Sequence, residues 1–397
     1  MKKVLIYFTQ FDQALGGSEF TPLSFIAELQ KDCDITLALN WESDVEAAAE
    51  KLGFRIDFER LRIEYVKPRN SLLRKLDAVL PFYRTRRLKE LAKTADLCIS
   101  TANMFDFGKP AHHFVYLLRV FGDNAFCDFL QGRTAPRGPA LFRRNLRTLL
   151  AEKLLRPLLG LRSTRKILAD PDERIYPPSQ YVEKVMRDFY GPFRSTIFYP
   201  PTVFEFVLPP PPRDPLKIVC LGQLFPEKRL LEVIAITELA RTLSGADLKL
   251  AFGGPLNSTD YVKKLQKLAA EKSWLQLAGP VYGREKEEFL RSASYALHAE
   301  RDEAFGIVVT EYLKGGVIPV VPDEGGTCEI VDNPALTWHT VEEAARILVR
   351  LISDRAFRAE QLRRCAERAE CFSREAYLER QHDLLAGLLA EGSGAGS

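Results

Sequence analysis

Paired cysteines are missing from this sequence. Its seven cysteines are scattered through 397 residues with no C-x-x-C pair, which counts against a disulfide framework and against a zinc site. Long apolar runs are missing too, since no stretch approaches the ~18 apolar residues of a spanning helix. The opening MKKVLIYFTQ has only a short apolar run, which suits a first buried strand better than a signal peptide. These absences suit a chain that stays in a reducing cytoplasm. A strong charge of one sign is also absent: the net charge is +3. The basic stretches carry no accompanying aromatic stacking motif, so nucleic acid is not an expected partner.

A composition that is 46% hydrophobic and 27% charged excludes disorder, and 397 residues exceed one ordinary core, so two domains are expected. Residues 1–213 carry 33 Lys+Arg against 25 Asp+Glu, leaving 23 against 28 for 214–397; if the asymmetry has meaning, the halves face different partners. The sharpest internal boundary is PPPPRDP at 209–215, because successive prolines lack backbone donors and favour extended chain. Apolar runs at 4–8, 35–39, 97–100 and 114–118 read as buried strands before it, and 217–222, 248–254, 295–299 and 317–322 read as strands after it. Helix-like segments lie between several of them. The fold class is therefore α/β, with domains at 1–205 and 216–372, a linker at 206–215, a terminal helix at 373–390 able to pack on either domain, and a flexible tail at 391–397.

The chemistry concentrates in YALHAERDEAFGIVVTE, residues 295–311. A strand, a polar loop, a glycine and a helix starting at Ile307 make an anion site: Gly306 lets backbone approach a diphosphate, and the first-turn amides, Ile307 included, point at it along the favourable end of the helix dipole. Glu303 precedes those amides and Glu311 lies about one turn inside the helix. One carboxylate suits sugar hydroxyls and the other ribose hydroxyls, although two glutamates at that spacing also suit a solvated surface.

EAFGIVVTE, followed by EGGTCEIV at 324–331, resembles the E-x-F-G-x-x-x-x-E signature and following turn of retaining family 4 glycosyltransferases. Four further segments resemble that family in order. ALGGSEF at 14–20 resembles its glycine loop, with Gly16 and Gly17 facing donor phosphates. LGQLFPEKRL at 221–230 resembles its phosphate clamp, in which Lys228 matches, Gln223 stands where the family usually has Arg, and Arg229 is a possible substitute. IYPPSQYVEKVMRDFYG at 175–191 resembles a strand ending in Ser before a helix. IFYPPT at 197–202 resembles the crossing found in the branch with mannosyltransferases of lipid-linked oligosaccharide assembly.

The resemblance implies a GT-B fold, two Rossmann-like domains with parallel sheets facing across a cleft. It implies a retaining hexosyltransferase that takes a nucleotide-sugar donor without metal or other cofactor. Donor contacts carry over to Gly16, Gly17, Gln223, Lys228, Arg229, Glu303, Phe305, Gly306, Ile307 and Glu311, with Glu303 and Lys228 also catalytic. The acceptor side matches least. In GKPAHHFVYLLRVF at 108–121, His113 and Tyr116 are the candidates, Tyr116 standing roughly where the family has His. GDP-mannose is slightly favoured over UDP-sugars as donor, and the acceptor is a glycan or lipid-linked hydroxyl. The altered clamp leaves an alternative, a degenerate GT-B protein serving as a nucleotide-binding or scaffold subunit. The triplets Asp32-Cys33-Asp34 and Asp170-Pro171-Asp172 accompany no donor motif and are not read as metal sites.

Residues 141–166 carry eight Lys or Arg and one acid, Glu152, among frequent leucines. That pattern suits a peripheral contact with an anionic membrane surface, and equally a helix whose leucines pack on the domain's own core. A second basic stretch, 72–93, is placed with it.

Overall fold

Parallel strands cannot be joined by tight turns, so a chain of apolar runs separated by helical segments must return each time over a face of its sheet. The computed structural model of the protein describes residues 1–11, 16–68, 82–116, 158–209 and 212–391. It divides into two compact units, Met1–Pro200 with Tyr377–Ser397, and Pro201–Ala376.

In the first unit the order is β1 (Lys2–Tyr7), α1 (Gly17–Leu29), β2 (Cys33–Leu39), α2 (Val45–Lys51), β3 (Arg62–Tyr65), α3 (Phe82–Ala92), β4 (Leu97–Ser100), β5 (His112–Phe114), α4 (Thr164–Leu168), β6 (Arg174–Tyr176) and α5 (Gln180–Tyr190). The six strands are ordered β3-β2-β1-β4-β5-β6 and pair in parallel. Val4, Leu5 and Ile6 are buried because helices cover both faces of the central strands. Ser179 ends the IYPPS segment as the cap of α5, its hydroxyl accepting from the Val182 amide at 3.1 Å.

The second unit runs β7 (Asp214–Leu221), a 3₁₀ turn (Pro226–Lys228), α6 (Leu230–Ser244), β8 (Lys249–Gly253), α7 (Asp260–Glu271), β9 (Leu275–Gly279), α8 (Gly283–Arg291), β10 (Ala293–Leu297), α9 (Ile307–Lys314), β11 (Ile318–Pro322), α10 (Gly326–Val331), β12 (Thr337–Trp338), α11 (Val341–Ser353) and α12 (Arg355–Glu370), and the chain then enters α13 (Arg374–Glu391). Its strand order is β12-β11-β10-β7-β8-β9. Counted from its own first strand this is the same order as in the first unit, the doubly wound arrangement of a dinucleotide-binding sheet.

Of the segment expected as a linker at 206–215, residues 206–209 and 212–215 lie in the second unit, while 210 and 211 lie outside the described residues. Thr202 donates its amide to the Phe372 carbonyl at 3.2 Å and its hydroxyl to Thr310 at 2.6 Å. The buried carboxylate of Glu287 accepts from the amides of Val207 and Leu208 at 3.1 and 2.7 Å. All of these bonds lie within the second unit, which begins at Pro201. At the other end, α13 joins the first unit from Tyr377: the Tyr377 hydroxyl reaches the Thr21 hydroxyl at 3.2 Å, Gln381 donates to the Ser24 carbonyl at 3.1 Å, and Phe20 and Phe198 meet the Tyr377 ring edge-on.

Residues 141–157 of the basic leucine-rich stretch, 72–81 of the second one, Ala14 and Leu15 of the glycine loop, and the tail at 392–397 lie outside the described residues. Among the described residues no helix is long and apolar enough to cross a membrane.

Candidate functional site

In a doubly wound sheet, the strands on either side of the reversal send their following loops to opposite faces, opening a crevice at their carboxyl ends. In the second unit the reversal lies between β7 and β10. The loop after β7 carries Gln223, Lys228 and Arg229, and the loop after β10 carries His298, Glu300, Glu303, Phe305 and Gly306. Topology alone therefore gathers most of the donor residues expected from the sequence.

Lys228 ends the 3₁₀ turn, and its Nζ stands 2.6 Å from a carboxylate oxygen of Glu303 and 2.6 Å from one of Glu300. Burial pulls this lysine's pKa down, but the two carboxylates outweigh it and hold the ammonium above the ordinary lysine range. Between the carboxyls the effects divide. Burial and the neighbouring Glu303 raise Glu300, whereas at Glu303 the burial is overcome by Lys228 and its pKa is lowered. His298, 3% exposed, has its Nε2 3.8 Å from Glu303 with no hydrogen-bond partner. Burial and Lys228 depress its pKa to about 4, so it is neutral near pH 7. The ligand atoms of His298, Glu300 and Glu303 lie within 4.8 Å of one another, close enough to share a cation, and the Lys228 ammonium already stands against both carboxylates. Asp323, Glu324 and His339 form a second such group, exposed.

The Glu303 loop is shaped by glycines where backbone meets backbone. Gly306 caps α9 with φ +100°, and a Cβ there would lie 2.6 Å from the Thr327 methyl. A Cβ on Gly325 or Gly326 would come 2.6 Å from the Arg301 carbonyl or 2.5 Å from that of Ala304, while the Gly326 amide donates to the Glu303 carbonyl at 2.7 Å. The E-x-F-G and G-G-x-x-E-I-V segments are thus two halves of one packed turn. Phe305 is buried under it, edge-on to Phe372 at 5.8 Å. Ile307 opens α9 as expected, leaving its first-turn amides at the helix start. Glu311, 6% exposed, pairs with Lys286 of α8 at 2.7 Å; burial raises its pKa against the pull of that lysine.

Other expected residues are placed differently. Gln223 is exposed at the end of β7, and Arg229 points its guanidinium to Glu232 of α6 at 2.5 Å. Arg229 therefore does not take up the missing arginine's place beside Lys228. Gly16 and Gly17 lie at the start of α1 in the first unit, where the Glu19 carboxylate accepts from the Gly16 amide and the Ser18 hydroxyl, both at 2.8 Å. His113, proposed for the acceptor side, is a core residue: 0% exposed, it meets Glu173 at 2.8 Å, and Glu173 in turn holds Arg162 at 2.7 Å and the Ala111 amide at 2.8 Å. The hydroxyl of Tyr116 is also buried, and burial raises its pKa well above the ordinary tyrosine range. The Tyr116 hydroxyl and the His113 side chain are both shielded from solvent. Asp170 is engaged by Arg162 at 3.1 Å.

Glu300, His298 and Lys286 are the residues the motif reading passed over. Glu300 and His298 stood inside the quoted segment with no pattern to distinguish them; Lys286 comes from another helix and is brought in only by the fold.

Comparison with known proteins agrees with this geometry. Residues 206–371 match the family described as "Glycosyl transferases group 1". A stretch of 45 residues is 51% identical to a GDP-Man:Man(3)GlcNAc(2)-PP-Dol alpha-1,2-mannosyltransferase of Yarrowia lipolytica, covering 11% of this chain and 7% of that protein's length. Among solved structures, Anabaena HepE in complex with UDP and glucose is similar with a TM-score of 0.62 at 14% identity, over 98% of this chain and all of that one. A sucrose-phosphate synthase from Thermosynechococcus elongatus gives 0.63 at 14% identity, over the same shares of the two chains. Residues 206–371 form a domain of the glycosyl transferases group 1 family, on a chain whose two parallel sheets have the GT-B architecture.

Proposed function

We propose that the chain is a retaining hexosyltransferase whose second unit holds a nucleoside diphosphate sugar at the β7/β10 reversal. The observation that carries this reading is the meeting of Lys228 and Glu303 beside the start of α9. A lysine beside a helix N-terminus suits a diphosphate, the lysine offsetting charge that develops as the leaving group departs. Glu303 orients sugar hydroxyls and Glu311 ribose hydroxyls. As the diphosphate leaves, the sugar gains oxocarbenium character, and the acceptor hydroxyl attacks on the face the diphosphate vacates, so the anomer is retained. No metal is required.

The donor is a hexose on GDP or UDP. The short likeness to a GDP-mannose enzyme favours GDP-mannose, and the likeness to a structure holding UDP keeps UDP-sugars beside it. The acceptor is a glycan or lipid-linked hydroxyl, reached from the cytoplasmic side, with the basic stretch at 141–166 against an anionic membrane surface.

Turnover with GDP-mannose and UDP-hexoses in the presence of a chelator tests the reading. Lys228→Ala should lower kcat by about two to three orders of magnitude, by analogy with loss of a charge-stabilising donor. Glu311→Ala should raise the donor KM about tenfold, the worth of a charged hydrogen bond. Unchanged kinetics in both variants, or an inverted anomer in the product, would refute it. The exposed neutral Gln223 favours one other reading, a chain that binds nucleotide without transferring sugar; it predicts binding with no turnover on any donor.

A further inference from the structure

The two carboxylates around Lys228 are unequal in what they can do once a donor arrives. Under the proposed function Glu303 turns to sugar hydroxyls, so its contact with Lys228 is replaced by another. Glu300 has no such role there, and it holds the same ammonium at the same 2.6 Å. The local count is one cation against two anions, since His298 is buried with an orphaned Nε2 and adds no charge. Gln223 is neutral and Arg229 is tied to Glu232. A diphosphate entering here therefore meets a lysine already neutralised, and gains its attraction only in competition with the two carboxylates.

Resting on the donor-site reading, we infer that Glu300 is a positioning residue that competes with the donor's diphosphate for Lys228, holding the ammonium in the empty site and reclaiming it as the nucleoside diphosphate leaves. Its consequence is a weaker grip on product than Lys228 alone would give. Glu300 thereby favours release over retention.

The test is a double-mutant cycle on the full chain, with GDP and UDP as probes, comparing wild type, Glu300→Gln, Lys228→Ala and the double variant by calorimetry. Glu300→Gln keeps the shape and removes the charge. It should tighten nucleoside diphosphate binding about tenfold in the wild-type background, equivalent to about 1.4 kcal/mol. In the Lys228→Ala background, where only direct repulsion between Glu300 and the diphosphate remains, the gain should fall to about twofold. In steady-state assays the inhibition constant for the diphosphate product and the donor KM should both drop in Glu300→Gln, while kcat does not rise. Glu300→Ser, which cannot hydrogen-bond the ammonium at that reach, should behave in the same direction and guards against a misfolded first variant.

Unchanged or weaker binding in both Glu300 variants overturns the inference, because the carboxylate would then be neutral to Lys228 or assist it. An equal gain with and without Lys228 also overturns it, leaving simple repulsion. If wild type binds neither GDP nor UDP, the donor-site reading itself fails and this inference falls with it; if wild type binds and the cycle shows no coupling, only the inference fails.

Discussion

Gly306 stands where a side chain has neither the dihedral angle nor the room, with φ +100° and the Thr327 methyl 2.6 Å from a would-be Cβ. Gly306→Ala should destabilise the second unit by about 1–3 kcal/mol, from backbone strain and overpacking together, and weaken nucleotide binding as the loop shifts. Adding Thr327→Ser removes the clashing methyl but not the strain, so thermal melts should show partial rescue; full rescue would mean the dihedral costs nothing. His298 yields a prediction in pH. Its pKa is about 4 in the folded chain against an ordinary value of 6.5, so the unfolded chain binds more protons between those values. The stability of its neutral, buried form is fully present above pH 6.5 and is lost as pH falls toward 4. His298→Gln should flatten the loss of thermal stability between pH 7 and 5, a difference of up to about 2 kcal/mol. An unchanged acid slope would show that the imidazole is not held neutral. At this scale Glu303, Gly306 and Glu311 stood out in the sequence because their spacing puts them on one loop and helix start, and Lys228, on the β7 loop, stood out only through the family resemblance. Glu300 and His298 did not, because partnership with Lys228 depends on where the β7 loop folds.

Among the elements, the strands that could be read as apolar runs, such as β1, β2, β7, β8, β10 and β11, are those with sheet neighbours on both sides. Burial on both faces leaves a continuous apolar signature. The strands β3, β9 and β12, which the runs did not disclose, are edges of their sheets; β3 is the half-exposed Arg62–Tyr65 and β12 only Thr337–Trp338. Val341 to Glu370 forms two helices and not one, because Asp354 ends α11 and caps α12 with its carboxylate accepting from the Phe357 amide at 2.9 Å. Asp354→Ala should cost about 1 kcal/mol in denaturant unfolding of the second unit. No loss there would mean the break between α11 and α12 is set by packing alone.

At the scale of the whole chain, the two units repeat one strand order but are built from different lengths of sequence, and the last helix returns to the first unit. Tyr377 is fully buried there among Phe20, Phe198 and Thr21. Tyr377→Ala should destabilise the first unit by about 3–5 kcal/mol in denaturant unfolding, as for other buried aromatics. The return of α13 was left open by the sequence, since an amphipathic helix names no partner, and the bonds to Thr21 and Ser24 supply it. The hold on Val207 and Leu208 likewise comes from Glu287, far along the chain.

The claim beneath all of this is that the second unit binds a nucleoside diphosphate at the β7/β10 reversal without metal. The most direct measurement is calorimetric titration of GDP, UDP, ADP and dTDP into the protein in the presence of a chelator, for wild type and for Glu311→Ala. The account predicts binding of one nucleoside diphosphate, weakened in the variant; absence of binding by all four, or binding indifferent to Glu311, would contradict it.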